Sequence, residues 1–160
     1  MKRLLAATAL CLALAHPALA DGKIYVQLPD LSSWNGEEAE IFLKEVVLAN
    51  VVSSNCAGFE ITDEEWSLLT DSADLLARGQ LGLSVGDYDD QYYSPAFDAL
   101  GDPDTCAQAG PEVQITLDKL MSFGGSREAL PDQDAAYEAE QARQAAWDAG
   151  ATTPRKTKTK

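Results

Sequence analysis

Cysteines at positions 56 and 106 set the strongest limit on how this chain can fold. The remaining cysteine, Cys11, lies inside a predicted secretion signal and is removed with it. An even number of cysteines in an exported protein predicts a disulfide, because the compartment outside the cytoplasm is oxidising. The two residues are 50 positions apart, and closing a loop of that length is expected to stabilise the fold by about 4 kcal/mol.

The first twenty residues have the composition of a secretory signal peptide. Basic Lys2 and Arg3 precede an apolar run over residues 4–15, and the small residues Ala18 and Ala20 predict cleavage between Ala20 and Asp21. The run is too short to span a bilayer, and no later segment has the roughly eighteen apolar residues that a span requires. The mature protein is therefore expected to be soluble, without a transmembrane segment, and periplasmic or secreted.

The mature chain is strongly acidic. Loss of the signal leaves ten basic residues against 26 acidic ones, a net charge of −16. Four of the ten basic residues lie in the last six positions, so the body of the protein carries a charge of −20. Nucleic acid is excluded as a partner by this charge, because the body would repel phosphate.

The N-terminal third predicts an arm followed by a buried helix. Residues 23–28 form a short β-branched run that Pro29 ends, which indicates an edge strand or an extended arm. Asn35 is placed to cap the helix that follows. That helix is expected to be the central element because it is apolar on more than one face. Its apolar residues are Ile41, Phe42, Leu43, Val46, Val47, Val51 and Val52.

The middle of the chain predicts a capped helix and then a broken one. Thr62 and Glu65 have the spacing of a capping box, and Gly79 is expected to end the helix that they begin. The stretch "DYDDQYYSPAFDALG" predicts a second, broken helix, which Pro95 breaks or restarts and Gly101 ends.

The rest of the chain predicts a short helical turn, two longer helices and a tail. Asp102 and Pro103 favour a turn of helix that carries Cys106, and residues 112–123 predict a separate amphipathic helix. The segment after them is alanine-rich with few large apolar residues, so it is expected to pack loosely or project. The predicted division is a signal peptide (1–20), a helical domain (21–125), an Ala-rich helical extension (126–150) and a disordered basic tail (151–160).

Few catalytic chemistries are open to the mature chain. Its only histidine, His16, leaves with the signal, and a disulfide leaves no thiol, which argues against Ser-His-Asp and Cys-His nucleophiles and against zinc sites. Glycoside hydrolysis would need two carboxylates at a set separation in a cleft, and among 26 acids some pair arises by chance. We therefore predict that the protein is not an enzyme and has no cofactor.

Three clustered aspartates suggest calcium at first sight. Asp87, Asp89 and Asp90 alternate as ligands in a calcium loop do. An EF-hand loop that starts at Asp87 would need glycine at its sixth position and glutamate at its twelfth, where this chain has Tyr92 and Asp98. A solvated acidic cluster at a helix start explains these residues, and no metal site is predicted.

Large apolar residues in the middle of the chain are the candidate binding residues. Trp66, Leu69, Tyr92, Tyr93 and Phe97 could line a ligand groove. Aromatic residues at helical spacing more often belong to a core, and both interpretations stay open.

The segments around the two cysteines resemble the small periplasmic acid-stress chaperones of the HdeA type. The likeness covers residues 54–123 and rests on "NCAGFEITDEEW", with Phe59 after Cys56 and Asp63 in the following helix, and on "DTCAQAGPEVQITLDKL". It implies an all-helical domain clasped by the Cys56–Cys106 disulfide. It also implies that the protein binds unfolded periplasmic clients after acid has loosened it. The N-terminal helix and arm and the C-terminal extension depart from the family.

The charge of the chain fits such a mechanism. Carboxyl groups titrate near pH 4, so at about pH 2 the side-chain charge would move from −16 towards +10. Without histidine there can be no histidine switch near pH 6. The predicted protein is thus an all-α, disulfide-clasped bundle that binds unfolded proteins in acid. The alternative is a constitutively folded binding or inhibitor module that docks a basic partner on its acidic surface. The client and the oligomeric state are left open.

Overall fold

The computed structural model describes residues 22–151, and most of that range is helical. The predicted all-α class is confirmed, and the only pairing of extended segments within 22–151 is an isolated antiparallel bridge between Val26 and Ala129. Within the same range, no helix combines the length and the apolar character needed to cross a bilayer. The predicted signal peptide, its Ala20–Asp21 cleavage site and tail residues 152–160 lie outside the described residues.

Helix α1, Gly36–Asn55, is the centre of the fold, as its apolar pattern predicts. It packs against two other helices, α2 (Asp63–Asp74) and α5 (Thr105–Ser122), and against the segment between them. Phe42, Leu43, Val46 and Val52 have no exposed surface. Burial on several sides explains why its apolar residues do not fall into a single stripe.

Asn35 precedes α1 in the extended conformation of an N-cap residue, but its side chain does not cap the helix. The Asn35 amide instead donates a hydrogen bond of 3.0 Å to the carbonyl of Ser33. The predicted start of the helix is right and the predicted capping bond is wrong, because the preceding turn competes for the same side chain.

Helix α2, Asp63–Asp74, begins at the predicted capping box. The Thr62 hydroxyl accepts from the Glu65 amide at 3.2 Å, and a Glu65 carboxylate oxygen accepts from the Thr62 amide at 3.0 Å. The helix does not end at Gly79, however. It continues as a π-helical segment, Leu75–Gln80, and the chain turns at Gly82, which has a φ of +62°.

The predicted broken helix runs through three consecutive segments without an interruption at Pro95. They are α3 (Val85–Tyr88), a π-helical segment (Asp89–Tyr93) and α4 (Ser94–Ala99). Pro95 lies in the first turn of α4, where its missing N–H is tolerated.

The predicted turn at Cys106 and the helix after it are one helix, α5, Thr105–Ser122. The residue that precedes α5 is Asp104, so Asp102 does not cap this helix as predicted. The Asp102 carboxylate instead accepts a hydrogen bond from the Asp104 amide in a turn. Pro111 lies inside α5, where a break was expected. Tertiary packing outweighs the lost hydrogen bond, because α5 buries Leu117 and Leu120 against the core.

Residues 23–31 form an extended arm, which was one of the two predicted alternatives. The arm runs beside the loop that follows α5. The Leu130 amide donates to the carbonyl of Tyr25 at 2.8 Å, and the Asp30 amide donates to that of Phe123 at 2.9 Å. The side chains of Val26 and Leu31, both in the arm, are buried in the core.

Helix α6, Gln133–Ala151, contacts the arm and the continuation of α2 through a few side chains, so of the two predicted alternatives it packs loosely and does not project. Gln133 exchanges side-chain hydrogen bonds with the backbone of Tyr25, and the rings of Tyr25 and Tyr137 meet edge to face at 6.3 Å. At the other end, the Trp147 ring lies over Gly79, where a Cβ atom would be 3.5 Å from it. These contacts use long side chains, which alanine-rich composition does not reveal.

Candidate functional site

The disulfide joins Cys56, directly after α1, to Cys106 in the first turn of α5. The sulfur atoms are 2.03 Å apart and the Cα atoms 5.5 Å apart. The Phe59 ring, three residues after Cys56, occupies the space beside Gly110, where a Cβ atom would lie 2.2 Å from the ring. The bond thus clasps two helices that also form the core, as the sequence predicts.

A cluster of charged side chains lies where α6 and the arm meet α2. The Lys23 ammonium group of the arm lies 2.6 Å from a carboxylate oxygen of Asp71 in α2, and Asp71 is only 2% exposed. Asp71, Asp74 and Glu140 bring carboxylate oxygens within 4.8 Å of one another. Members of the cluster are Lys23, Asp71, Asp74, Arg78, Glu140, Arg143, Gln144 and Asp148.

Helix α6 supplies the other half of the charged cluster. The Gln144 amide donates to Glu140 at 2.7 Å and to Asp74 at 3.3 Å. Arg143 pairs with Glu140, and Arg78 donates to Gln144 and to Asp148. Glu140 is 6% exposed and is therefore buried, as Asp71 is, whereas Asp74, Arg78 and Arg143 are half-buried.

The proximity of these acids affects the pKa of Asp74. Burial raises the pKa of the Asp74 carboxyl, and the negative charge of Asp71 raises it further, against smaller opposing effects of Gln144, Lys23 and Arg78. The phenol of Tyr88 responds to the same charge: burial first, and then Asp74, raise its pKa. Asp74 is thus the member of the cluster whose pKa is raised by burial and by a neighbouring carboxylate.

Three carboxylates at this spacing are also what a hard cation or a carboxylate-only hydrolase would use. Asp71 and Glu140 both line a groove of about 180 Å³ under the arm. Lys23 and Arg143 already pair with these two carboxylates. We therefore assign the cluster an electrostatic, structural role.

Sequence reasoning missed the charged cluster entirely. Asp71 and Asp74 lie three positions apart on α2, and Ser67 and Asp71 fall on its buried face. An aspartate on the buried face of an amphipathic helix is the one signal that could have indicated it. Its partners Lys23 and Glu140 are 48 and 69 positions away along the chain, so no local pattern identifies them.

The predicted binding residues do not form a single site. Leu69 has no exposed surface and Tyr92 is 6% exposed, so both belong to the core. Tyr93 and Phe97 are about two-fifths exposed, and their ring centroids lie 5.7 Å apart on the α3–α4 segment. Trp66 is similarly exposed but lies on α2, and among the described residues it makes no ring contact with the other four.

The pair Tyr93 and Phe97 lies in the longest interval of the chain without a basic residue. Between Arg78 and Lys119 there is no basic residue. Eight acidic residues occupy that interval: Asp87, Asp89, Asp90, Asp98, Asp102, Asp104, Glu112 and Asp118. All eight are exposed. Exposed aromatic rings among acidic side chains suit a basic, partly apolar partner.

A second apolar surface runs between α1 and α5. Ile41 on α1 is 51% exposed and Ile115 on α5 is 57% exposed. Two shallow pockets beside these residues share Glu45 and Lys119, whose charged groups are 2.6 Å apart. The Lys119 ammonium group also lies 4.0 Å from the centre of the Phe42 ring. Both residues line one of the two pockets.

The fold and the charged cluster define a class: an all-α domain clasped by one disulfide, with a terminal helix held by buried charges. Comparison with protein-family models, with curated proteins and with solved structures finds no match to this chain.

Proposed function

We propose that this chain is an exported helical binding protein that holds unfolded client proteins after acid has released α6. The observation that carries the proposal is the charged cluster, in which carboxylates of α2 and α6 bind Lys23 of the arm, Gln144 of α6 and Arg78. The resemblance of residues 54–123 to acid-stress chaperones points in the same direction.

Acid acts on the cluster through two ion pairs that join separate elements. Lys23–Asp71 links the arm to α2, and Arg78–Asp148 links the continuation of α2 to α6. Protonation of the two carboxylates removes these negative partners of Lys23 and Arg78, and the two cations and Arg143 then repel one another in a half-buried site. Because the arm also holds the start of α6 by side-chain contacts, acid is expected to release the arm and α6 together.

Two exposed carboxylates in turns act in the same direction. Hydrogen bonds from Ser32 lower the pKa of Asp30, and backbone hydrogen bonds of Glu60 and Gly58 lower that of Glu60. A carboxylate whose pKa is lowered on folding contributes stability above its unfolded pKa, and the contribution is lost as pH falls through the folded value. Asp74 acts in the opposite direction, so the proposal depends on the ion pairs of Asp71 and Asp148, which join separate elements.

Release of α6 would uncover apolar surface while the disulfide keeps α1 and α5 together. Tyr25, now 6% exposed beneath Tyr137, and the surface around Gly79 beneath Trp147 would become accessible. Together with the exposed Ile41 and Ile115, they would offer a client an apolar surface larger than the folded protein has.

The test is suppression of client aggregation. The mature protein is mixed with an acid-labile client at about pH 2 to 3, where the carboxyl groups are protonated, and light scattering is followed. Suppression at an equimolar ratio is expected. A chain carrying Lys23→Met and Asp71→Leu, which replaces one titrating pair by apolar side chains, is expected to release α6 at lower pH and to suppress less. Absence of suppression by the unmodified protein would contradict the proposal.

The exposed pair Tyr93 and Phe97 favours a second candidate function, a constitutively folded module for a basic partner. Such a module would keep its near-ultraviolet circular dichroism in acid. It would bind a lysine-rich partner at neutral pH with an affinity that falls as salt is added. Tyr93→Ala with Phe97→Ala should then abolish binding, and Ile41→Ala with Ile115→Ala on the other apolar surface should leave it intact.

A further inference from the structure

A groove of about 400 Å³ lies where α6 ends. One wall is the last turns of α6 with Trp147 and Gly150, and the other is the turn after the π-helical segment, with Leu83 and Val85. Val85 is 64% exposed, the largest exposure among the bulky apolar side chains that the structure describes. The chain beyond Ala151 therefore leaves α6 beside an open, partly apolar groove.

The charges inside the groove compensate one another. Arg78 lines it, and its guanidinium group is engaged by Asp148 and Gln144 and lies over the Trp147 ring. A cation entering the groove thus meets an arginine that is already paired.

The rim of the groove is negative. Ser84 lines the groove, and its hydroxyl donates to the Asp87 carboxylate at 2.6 Å, which places that carboxylate at the edge. Asp89 and Asp90, both exposed, follow on the next turn. This rim belongs to the long interval of the chain that has no basic residue.

Residues 152–160 have the complementary charge. They contain no acidic residue and four basic ones: Arg155, Lys156, Lys158 and Lys160. The last turn of α6 has no basic side chain, so the negative end of its helix dipole also attracts them. Nine extended residues reach up to about 30 Å, far more than the width of a groove of this volume.

We propose that residues 152–160 fold back from the end of α6 across this groove and place their lysines against Asp87, Asp89 and Asp90. The segment then covers Val85 and occupies part of the acidic surface that a basic partner would use. This inference does not depend on the proposed chaperone function, because it concerns the folded protein at neutral pH.

Zero-length cross-linking tests the docked segment directly. The mature full-length protein is treated with a water-soluble carbodiimide at low salt, and amide bonds between lysines and carboxylates are mapped by mass spectrometry in the monomeric fraction. We expect the lysines at 156, 158 and 160 to react chiefly with Asp87, Asp89 and Asp90. High salt, which shortens the Debye length to about 3 Å, should remove these cross-links.

The matched variants separate docking from general attraction to an acidic protein. The triple change D87N/D89N/D90N is expected to lower the yield of tail cross-links about tenfold. The control D98N/D102N/D104N removes the same charge elsewhere in the acidic interval and should leave the yield unchanged. Cross-links spread evenly over all exposed acids, or found only between molecules, would overturn the inference.

Discussion

The Lys23 ammonium group of the arm lies 2.6 Å from the carboxylate of Asp71, which is only 2% exposed on the buried face of α2. An ion pair between the first described residues and the second helix draws the arm onto the core. The Glu140 carboxylate of α6 lies within 4.8 Å of the carboxylates of Asp71 and Asp74. Three elements that are distant in sequence therefore meet at one cluster of charged side chains.

Removal of the lysine charge is expected to destabilise the fold strongly. Lys23→Met should lower the free energy of unfolding by roughly 3 kcal/mol, because Asp71 would remain buried without its cation. Urea unfolding at neutral pH, followed by circular dichroism, measures the change. Lys44→Met, at an exposed position of α1, is the control and should have little effect. Adding Asp71→Leu to the first variant should recover most of the loss, and failure to recover it would contradict the pairing.

Asp74 should influence stability with the opposite sign to a carboxylate in an ion pair. Its pKa is raised in the folded protein by burial and by the charge of Asp71, so the ionised group lowers stability at neutral pH. That cost is relieved as pH falls through the raised folded pKa, and it is gone below the unfolded value near 3.8. Asp74→Asn should therefore stabilise the protein at pH 7 and lose its advantage below that value.

Unfolding free energies measured across this pH range check the prediction for Asp74. Asp90→Asn, at an exposed position, is the matched control and should show no such convergence with the unmodified protein. An Asp74→Asn variant that is less stable than the unmodified protein at pH 7 would contradict the assigned direction.

Gly110 is expected to tolerate no side chain. The Phe59 ring fills the space where its Cβ atom would lie, 2.2 Å away. Gly110→Ala should lower the free energy of unfolding by about 1 to 3 kcal/mol, as overpacking does. Thermal or urea unfolding tests it. Gly86→Ala in α3, where the nearest atom is 4.0 Å from the added Cβ, should be neutral. Equal effects of the two changes would show that Phe59 moves aside without cost.

The disulfide should contribute several kilocalories to stability. Closing a loop of 50 residues is expected to stabilise the fold by about 4 kcal/mol. Replacing Cys56 and Cys106 together by serine should lower the unfolding free energy by that amount, which urea unfolding without reductant measures. The unmodified protein unfolded with reductant serves as the control and should match the variant. A loss below about 1 kcal/mol would mean that the clasp adds little to the packing of α1 on α5.

The capping box at α2 offers a local test. Thr62→Ala should cost about 1 kcal/mol, because the Glu65 amide loses its acceptor. Thr62→Ser keeps the hydroxyl and should retain most of the stability. Urea unfolding at neutral pH distinguishes the two. A similar loss in both variants would assign the effect to the threonine methyl group.

Features with a local or covalent cause could be predicted from the sequence. The Cys56–Cys106 bond follows from the number of cysteines and the predicted export, and the Thr62–Glu65 box from a spacing of three residues. The central position of α1 follows from a sequence that is apolar on more than one face of the helix. Each of these depends on residues that are close in sequence or on a single covalent pairing.

The tertiary structure alone decided where helices continue and which charges are buried. Gly79 and Pro111 usually end helices, yet both lie inside helical segments here, since packing of the flanking apolar residues outweighs a local preference of a few kcal/mol. The partnership of Lys23, Asp71 and Glu140 likewise has no local signature. It exists because the arm, α2 and α6 converge in space, and a buried charge is tolerated only where the fold supplies its partner.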